Sequence, residues 1–496
     1  MTGASALERH ATALAWASEW AQRWFLDEDG EDRFSVRGYD AGWATHVEAF
    51  LLLRDLAAVA LGSQGRGRAS MTRWLKSRGA DRQVRSLLLR FSPRGADPGG
   101  PYAAGAVIEI PTPSMAEPAA IVLEEAGQSG VAGIADHRVA RMLRGRRVGG
   151  QPLVLPWGDE RRVVAESRTS LRRGWDEFVA GAPPMRLGEV DLTRSAIDRL
   201  ARLVHRSMPY LAAESLAVER WIERTEIRGV AIASDQHRIG RLVVQAARAH
   251  GVRSVVLQHG LPQARIGYLP VVADVVAAWS HASRDWFLEA GADPDRVRVT
   301  GNPRISATRS GHGGQPGRAD VLLPLSPTAT ATNVRLVEDV CRAVRVVQEA
   351  TLTIKLHPGQ SDWSFVAPIV RRAGLDGRVR VTRHEPLEPI LEATRVVVVH
   401  RSTVALDAIA ARRPVVAYRA GTETTTAETE LAALRLPVAT DPEGLASAIR
   451  QYAGAEASAA YFEDRAVEIA RAVGPREGNA RRILDLMLEA ATPSDR

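Results

Sequence analysis

A strand-like stretch in the second half of the chain ends in residues that could bind a phosphate group. The run Leu352-Thr-Ile-Lys-Leu-His-Pro358 places Lys355 and His357 at the end of a buried-type strand, and Pro358 stops that strand. An ammonium and an imidazole can both donate hydrogen bonds to phosphate oxygens. We therefore predict a phosphate contact here, against the alternative of a surface histidine at a strand edge.

A second run leads from an apolar strand through polar residues into a helix. It reads Val396-Val-Val-Val-His-Arg-Ser-Thr-Val-Ala-Leu-Asp407. The exposed N–H groups and the positive dipole end of the helix would attract an anion. Its polar residues before the helix are His400, Arg401, Ser402 and Thr403. Simple N-capping by a hydroxyl is the alternative. Asp407, one turn further on, would accept from ribose hydroxyls or face solvent.

Candidates for a general base lie at the ends of two strands in the first half. The run Ile232-Ala-Ser-Asp-Gln-His-Arg238 offers Asp235 and His237, and Val255-Val-Leu-Gln-His-Gly-Leu-Pro262 offers His259. A carboxylate or an imidazole in such a position can deprotonate a hydroxyl group. A helix cap by Asp235 and a plain strand-end turn at His259 are the alternatives.

Two turns complete the set of predicted site residues. Gln258, next to His259, is predicted to point toward a ligand, and Gly260 permits a tight backbone turn. The run Val297-Arg-Val-Thr-Gly-Asn-Pro-Arg304 ends another strand, and its position before a linker predicts a hinge at Gly301 and Asn302. A rigid turn without ligand contact is the alternative.

Regular alternation of strands and helices positions these runs. Apolar strand-like segments recur between helix-length segments from about residue 229 to 300, and again from 320 to 418. Parallel strands joined by such helices form right-handed βαβ units, so each series predicts a doubly wound sheet. Ligands of these sheets bind at the carboxyl ends of the strands, where the runs above lie.

These patterns divide the chain into predicted domains. Residues 1–90 are mainly helical, 91–305 form a first Rossmann-like domain, 319–455 form a second one, and 456–496 form two C-terminal helices. The segment 306–318, rich in Ser, Gly, Gln and Pro, is the linker between the two domains. Residues 136–190 are basic, without a clear period, and are interpreted as a solvated or acceptor-facing insertion.

Composition limits the class of protein. The 496 residues are 45% hydrophobic and carry a net charge of +7, which is typical of a globular chain and too dilute to indicate nucleic-acid binding. A single cysteine, Cys341, excludes an internal disulfide and indicates a reducing compartment. No secretory signal or membrane span is predicted, so we expect a cytoplasmic protein, peripheral at most at the inner face of the plasma membrane. No Asp-x-Asp pair or cluster of metal ligands occurs at the strand ends described above, so no tightly bound metal is predicted.

Taken in order, the four runs resemble one family. The Gln-His-Gly strand end, an Ala-Asp strand with Trp279, the Thr-Gly-Asn-Pro turn, the Lys-Leu-His-Pro strand end and the Ser-Thr helix start are similar to GT-B-fold transferases. The clan in question holds CDP-glycerol glycerophosphotransferases, capsule polysaccharide transferases and bacterial polysialyltransferases. The resemblance covers about residues 229–487 and implies two Rossmann-like domains that face a cleft, with the C-terminal helices packing back across the junction.

The resemblance also implies roles for individual residues. In such families the His of the His-Pro motif and the Ser/Thr at the helix start contact the donor phosphates, which here implicates His357, Ser402 and Thr403. Lys355 or Arg401 would neutralise charge on the leaving nucleotide. Asp407 stands where a ribose-binding Glu is common in the family. The base would be His259, Asp235 or His237.

The expected function is therefore the transfer of a sugar or polyol phosphate to a surface-glycan or related acceptor, glycan or lipid-linked. The donor would be a CMP-, CDP- or UDP-linked substrate, with no tightly bound cofactor. Two alternatives remain open. One is a sugar-nucleotide epimerase of the UDP-N-acetylglucosamine 2-epimerase type, and the other is a catalytically inactive nucleotide-sugar-binding protein.

Overall fold

The computed structural model describes most of the chain. The described residues are 6–62, 101–108, 113–135, 139, 143, 146, 148–153, 155–262, 265–305, 319–326, 330–357, 363–400, 402–419 and 433–489. Two predicted donor-binding residues, Pro358 and Arg401, lie outside these ranges, as does the predicted linker 306–318.

Between residues 229 and 418 the strands and helices follow one another in the predicted order, with one further helix over Val366–Arg372. The strands are β1 Ser35–Val36, β2 Tyr39–Asp40, β3 Ala104–Ile108, β4 Gly130–Ile134, β5 Gly149–Pro152, β6 Arg186–Leu187, β7 Val190–Asp191, β8 Gly229–Ile232, β9 Arg253–Leu257, β10 Val275–Ala278, β11 Val297–Val299, β12 Ala319–Pro324, β13 Ala350–Lys355, β14 Val379–Thr382, β15 Val396–Val399, β16 Val415–Tyr418 and β17 Val438–Ala439. The helices are α1 Ala6–Arg23, α2 Ala41–Ala60, α3 Pro113–Ala126, α4 Trp157–Gly181, α5 Thr193–Arg202, α6 Leu211–Thr225, α7 Arg238–Ala249, α8 His281–Glu289, α9 Thr330–Val346, α10 Val366–Arg372, α11 Leu387–Ala393, α12 Val404–Ala410, α13 Pro442–Ala453, α14 Ala455–Glu463, α15 Ala466–Val473 and α16 Asn479–Leu488.

Helices α1 and α2 form the described part of the N-terminal region, and an antiparallel hairpin of β1 and β2 lies between them. Aromatic side chains join these elements. Trp24, just after α1, lies 5.3 Å from Phe34 and 5.5 Å from Phe178 of α4, measured between ring centroids. Edge and tilted contacts of this kind add to the burial of apolar surface, so the helical region is fixed to α4.

Among the described residues, the first large sheet has the strand order β11-β10-β9-β8-β3-β4-β5. The pairings β8 with β9, β3 with β8, β3 with β4 and β4 with β5 are parallel. The four residues of β8 are all buried, as expected for a parallel strand covered on both faces. Trp221 of α6 covers part of this sheet and is fully buried.

Residues 136–190 were expected to lack a clear period, and this expectation is wrong; whether the segment faces an acceptor stays a prediction. The segment supplies β5 at the sheet edge and the 25-residue helix α4. Buried residues of α4 recur every three to four positions at Val164, Ser167, Leu171, Trp175 and Phe178, which is the helical period. The many arginines and glutamates between them concealed that period in the composition.

The second sheet has the order β14-β13-β12-β15-β16-β17, and its pairings are parallel throughout. Val396–Val399 is buried along its whole length. One correction concerns the end of the chain, where two helices were predicted over 456–496, the first of them over 456–472. Two helices, α14 and α15, occupy that segment, separated at Asp464 and Arg465.

The chain divides into two compact units. The first contains residues 1–259, 264–276 and 483–496, and the second contains 260–263 and 277–482. Each unit holds a parallel sheet with helices, which is the Rossmann-like arrangement predicted from the alternating pattern. The second unit begins earlier in the chain than the predicted second domain, whose bounds stay a prediction.

Candidate functional site

The carboxyl edge of the second sheet collects the predicted donor-binding residues that the structure describes. Lys355 ends β13 and His357 follows it, while His400 directly follows β15. Both strands pair with β12, which lies between them. Neighbouring strands are about 4.8 Å apart, so the two groups project from backbone positions about 10 Å apart. A nucleoside diphosphate is long enough to reach both.

Lys355 and His357 differ in how the protein holds them. The Lys355 ammonium donates to the Glu385 carbonyl oxygen at 2.7 Å. Burial lowers the pKa of Lys355, and the nearby Glu385 carboxylate acts in the opposite direction. His357 is half-buried, and burial lowers the pKa of its imidazole. A cation and a neutral ring donor therefore lie beside each other at this strand end.

The region after β15 contributes an oriented imidazole and two hydroxyl groups. His400 Nδ1 lies 3.0 Å from the Tyr418 carbonyl oxygen, which can only accept, so Nδ1 carries the proton. Ser402 is buried, and its Oγ accepts from the Val404 N–H at a long 3.4 Å. Thr403 occupies the N-cap position of α12, yet its side chain makes no capping hydrogen bond. The simple N-capping alternative therefore explains little of Thr403.

Arg304, which was not among the predicted site residues, contacts one of them. Its guanidinium lies 3.5 Å from the Asp407 carboxylate within the second unit. Burial raises the pKa of Asp407, and the charge of Arg304 opposes that rise. The ribose contact of Asp407 stays a prediction. In the structure its carboxylate pairs with Arg304. In the sequence, the position of Arg304 directly after Thr-Gly-Asn-Pro is the feature that could have marked it as a candidate.

The Thr-Gly-Asn-Pro turn is tied to the start of α16. Gly301 has a φ of 88°, and a Cβ there would lie 2.4 Å from Asn479 Oδ1, so this position requires glycine. Asn479 Nδ2 donates to the carbonyl oxygens of Asn302 and Ile305 at 2.8 and 3.0 Å. Asn302 Oδ1 in turn accepts from the Arg304 N–H at 3.1 Å. The predicted hinge role of this turn stays a prediction.

His259 is the best-oriented base candidate of the first unit. Its Nδ1 donates to the Ala233 carbonyl oxygen at 2.8 Å, which leaves the lone pair on Nε2. Its ring stacks on Tyr268 with centroids 5.0 Å apart and planes 2° from parallel. Burial lowers the pKa of His259 to about 4, and the positive field of His237 contributes. The neighbouring Gln258 is buried, and Gly260 is the first residue of the second unit.

Asp235 has both carboxylate oxygens in hydrogen bonds within the first unit. Oδ2 accepts from the backbone N–H groups of Val272 and Ala273 at 2.6 and 3.1 Å. Oδ1 accepts from Gln236 Nε2 at 2.9 Å. The carboxylate is 2% exposed and holds the loop before β10 in place. It does not cap α7, whose N-cap position belongs to the half-buried His237.

Another histidine near these groups escaped the sequence analysis. His46 of α2 is fully buried, and its Nδ1 donates to the Trp43 carbonyl oxygen at 2.7 Å. Burial lowers the pKa of His46 to about 3, with further contributions from Arg241 and His237. The sequence of a largely apolar helix does not indicate that His46 lies near His237, about 190 positions away in the chain.

The lowered pKa values of His46 and His259 predict that the free energy of unfolding depends on pH. Both folded-state pKa values lie below the ordinary value of 6.5. The contribution of the two neutral histidines to the free energy of unfolding is therefore complete above pH 6.5 and declines as pH falls toward 4. The slope should be about 1.4 kcal/mol per pH unit for each histidine. Urea unfolding at pH 7 and pH 5 measures the change in the free energy of unfolding with pH. In His46→Leu this change should be about half of that in the parent protein, because only His259 still contributes. The exposed His250→Leu is the control, and equal slopes in parent and His46→Leu would contradict the prediction.

Two features that the described residues lack concern metal binding and membrane binding. Within the described ranges, no group of three or more His, Cys, Asp or Glu side chains is arranged to hold a metal ion. No described helix combines the length and apolar composition needed to cross a bilayer.

Comparisons with known proteins place the fold. No protein-family model and no curated protein matches the sequence. Among solved structures, one from Listeria monocytogenes that carries the name UDP-N-acetylglucosamine 2-epimerase aligns with a TM-score of 0.51 at 13% identity, covering 78% of this chain and 95% of that one. A UDP-GlcNAc 2-epimerase from Neisseria meningitidis, bound to UDP-GlcNAc, aligns at 0.50 and 13% identity over 78% and 99%.

A glycosyltransferase from Rickettsia africae also aligns, with a TM-score of 0.44 and 12% identity over 78% of this chain and 96% of that one. Identities this low carry information about the fold and not about the reaction. The specific transferase clan expected from the motifs therefore stays a prediction, and the comparisons show that the chain has the fold of GT-B-like enzymes, with two parallel Rossmann-like sheets.

Proposed function

We propose that this protein is an enzyme that binds a nucleotide-activated sugar through the carboxyl edge of its second sheet. The observation that carries the proposal is the collection of Lys355, His357, His400, Ser402 and Thr403 after two strands that flank β12. Cationic, imidazole and hydroxyl groups at such an edge are the donors that a diphosphate needs. The bound UDP-GlcNAc in the Neisseria meningitidis structure of the same fold supports this ligand class.

Two reactions of a nucleotide sugar are candidates, and epimerisation comes first. The Listeria monocytogenes and Neisseria meningitidis structures, which align with TM-scores of 0.51 and 0.50, both bear the name UDP-GlcNAc 2-epimerase. Inverting a carbon that bears a hydrogen requires a base that removes its proton while the bond from the neighbouring carbon to the nucleotide breaks. The nucleotide then adds back as a proton from solvent returns to the opposite face. We propose His259 as the base. Its Nδ1–H bond to Ala233 holds the ring in the tautomer with a basic Nε2.

Transfer to an acceptor is the second candidate. The motifs of the chain support it. Asp235 already accepts hydrogen bonds on both oxygens, so the base for an acceptor hydroxyl would be a histidine of the first unit. In a transfer, His259 Nε2 would take the proton of the acceptor hydroxyl. In both reactions Lys355 and His357 would stabilise negative charge on the leaving nucleotide.

Binding of the donor is the first prediction to test. Calorimetric titration of UDP, CDP, CMP and their sugar conjugates should give selective binding to the parent protein. His357→Ala should weaken that affinity at least about tenfold, because it removes a hydrogen bond to a charged phosphate. His281→Ala, an exposed histidine in the same unit, is the matched control. Equal affinity of His357→Ala and parent would remove His357 from the donor site.

One further experiment separates the two reactions. Proton NMR of the protein with the nucleotide sugar that binds should show a new epimer without any second substrate if epimerisation is the activity. Solvent deuterium should then enter the sugar at the inverted carbon. If neither epimer nor deuterium appears and free nucleotide accumulates only with an added glycan acceptor, transfer is the activity. Binding without either product would support a catalytically inactive binding protein.

A further inference from the structure

A separate cavity lies at the amino ends of strands β15 and β16 in the second unit. It has a volume of about 130 Å³. Arg395, just before β15, and Arg412 and Arg413, just before β16, line it together with side chains of α13 and α14. The predicted donor residues lie at the opposite, carboxyl ends of these strands. This cavity, which we call the arginine cavity, is therefore distinct from the donor site.

Positive charge dominates the arginine cavity. Three of its lining residues are arginines, and none of the described residues that line it is acidic. Burial lowers the pKa of Arg413, and the charge of Arg395 lowers it further, while Glu392 acts in the opposite direction. Burial and the charge of Arg412 likewise lower the pKa of Arg476. Like charges crowded in this way would be relieved by a bound anion.

The arginines are held in place before any ligand arrives. Arg413 donates through Nε to the Leu391 carbonyl oxygen at 2.9 Å and through Nη2 to the Glu392 carbonyl oxygen at 3.2 Å. The Arg412 guanidinium lies over the Phe462 ring, 4.7 Å from its centroid. Side chains ordered in advance lose less entropy when a ligand binds, so a small anion suffices to occupy such a site.

The size of the cavity indicates the ligand. Its volume of about 130 Å³ is well above the roughly 10–15 Å³ of cavity space that one water needs, so it has room for a tetrahedral oxyanion. Guanidinium groups match the geometry of phosphate oxygens. Ser458 and Tyr452, which also line the cavity, can add hydroxyl donors. We propose that the arginine cavity binds phosphate, free or as the ester group of a small soluble molecule.

Two elements connect this site to the donor site. Strand β15 lies between Arg395 and His400, and helix α12 lies between Thr403 and the turn that contains Arg412. The helix has seven residues and is therefore only about 10 Å long. Phosphate in the cavity and a nucleotide at the donor site are thus expected to change each other's affinity by the same factor. This coupling rests on the proposed function, whereas the phosphate site does not.

The test uses glycine substitutions that preserve the fold. Arg412 and Arg435 both have a positive φ, 55° and 46°, where glycine fits at least as well as arginine. The background is the double variant His357→Ala Thr403→Ala, in which the donor site is weakened. Calorimetric titration of inorganic phosphate at constant ionic strength should show binding in this background. Addition of Arg412→Gly should weaken it at least about tenfold, and Arg435→Gly should leave it unchanged.

Each outcome decides the proposal. Absence of phosphate binding in the background variant would overturn it, and so would equal affinity with and without Arg412→Gly. Loss of affinity in both glycine variants would show a diffuse charge effect and would also overturn it. The nucleotide titrations of the parent protein are a separate measurement. A failed donor site with an intact phosphate site, or the reverse, is therefore distinguishable.

Discussion

His259→Asn is expected to lower turnover of the nucleotide sugar by about 10² to 10⁴-fold, the range for loss of a general base. Asparagine places its Nδ2 where the histidine has Nδ1, so the hydrogen bond to the Ala233 carbonyl oxygen can persist. It carries no basic group at the position of Nε2. The Michaelis constant should change little, because the proposed donor-binding groups belong to other residues.

The pH profile gives a second readout for His259 that a structural role would not move. Burial lowers its pKa to about 4, so the base stays unprotonated and active well below the ordinary value of 6.5. The acid limb of kcat/KM for the parent should therefore lie near pH 4, and this limb should be absent from the residual activity of His259→Asn.

Controls for His259→Asn use the exposed His250, which lies at the end of α7 in the same unit. His250→Asn should keep parental turnover and the parental pH profile. If His259→Asn keeps more than about a tenth of the parental turnover, His259 is not the base, and His237 becomes the next candidate. A fall in turnover that follows a fall in the thermal midpoint would show a packing defect instead.

The sheets were predictable because their strands are buried on both faces. A run such as Val396 to Val399 is short, β-branched and without a polar residue, which is typical of a parallel strand covered by helices on both sides. The long helix α4 was missed because its charged residues outnumber its apolar ones, although the apolar ones keep a helical spacing. Composition hides a period that only a position-by-position count detects.

The site was predictable at the level of strand ends and not at the level of contacts. A strand followed by His or Ser marks a position at the carboxyl edge, and His357, His400 and Ser402 do lie at that edge, while their contact with a ligand stays a prediction. The pairing of Arg304 with Asp407, and the use of both Asp235 oxygens to hold the loop at Val272, depend on which segments meet in space. Sequence spacing alone carries no such information when the partners are tens of residues apart.

Gly240 shows how a single missing side chain positions the candidate catalytic loop. It lies in the first turn of α7, and a Cβ there would come within 1.8 Å of the Ser234 carbonyl oxygen. Backbone atoms cannot yield as the end of a flexible side chain can, so the helix and the β8–α7 turn would have to separate. Glycine has this close-packing role in other Rossmann-like βα turns.

We therefore expect Gly240→Ala to destabilise the first unit by about 3 kcal/mol, the upper end of the usual cost of overpacking. The turn that would shift carries Asp235 and His237 and supplies the Ala233 carbonyl oxygen to His259, so turnover should fall as well. Gly158→Ala is the matched control, because it makes the same change in helix α4 at a position with nothing within 4 Å. There alanine should leave stability unchanged or raise it by up to about 1 kcal/mol.

Urea unfolding of both variants, followed by turnover of the folded fractions, separates the two effects. Equal stability of Gly240→Ala and Gly158→Ala would show that the turn tolerates a methyl group, and the close approach would then have no role in holding His259.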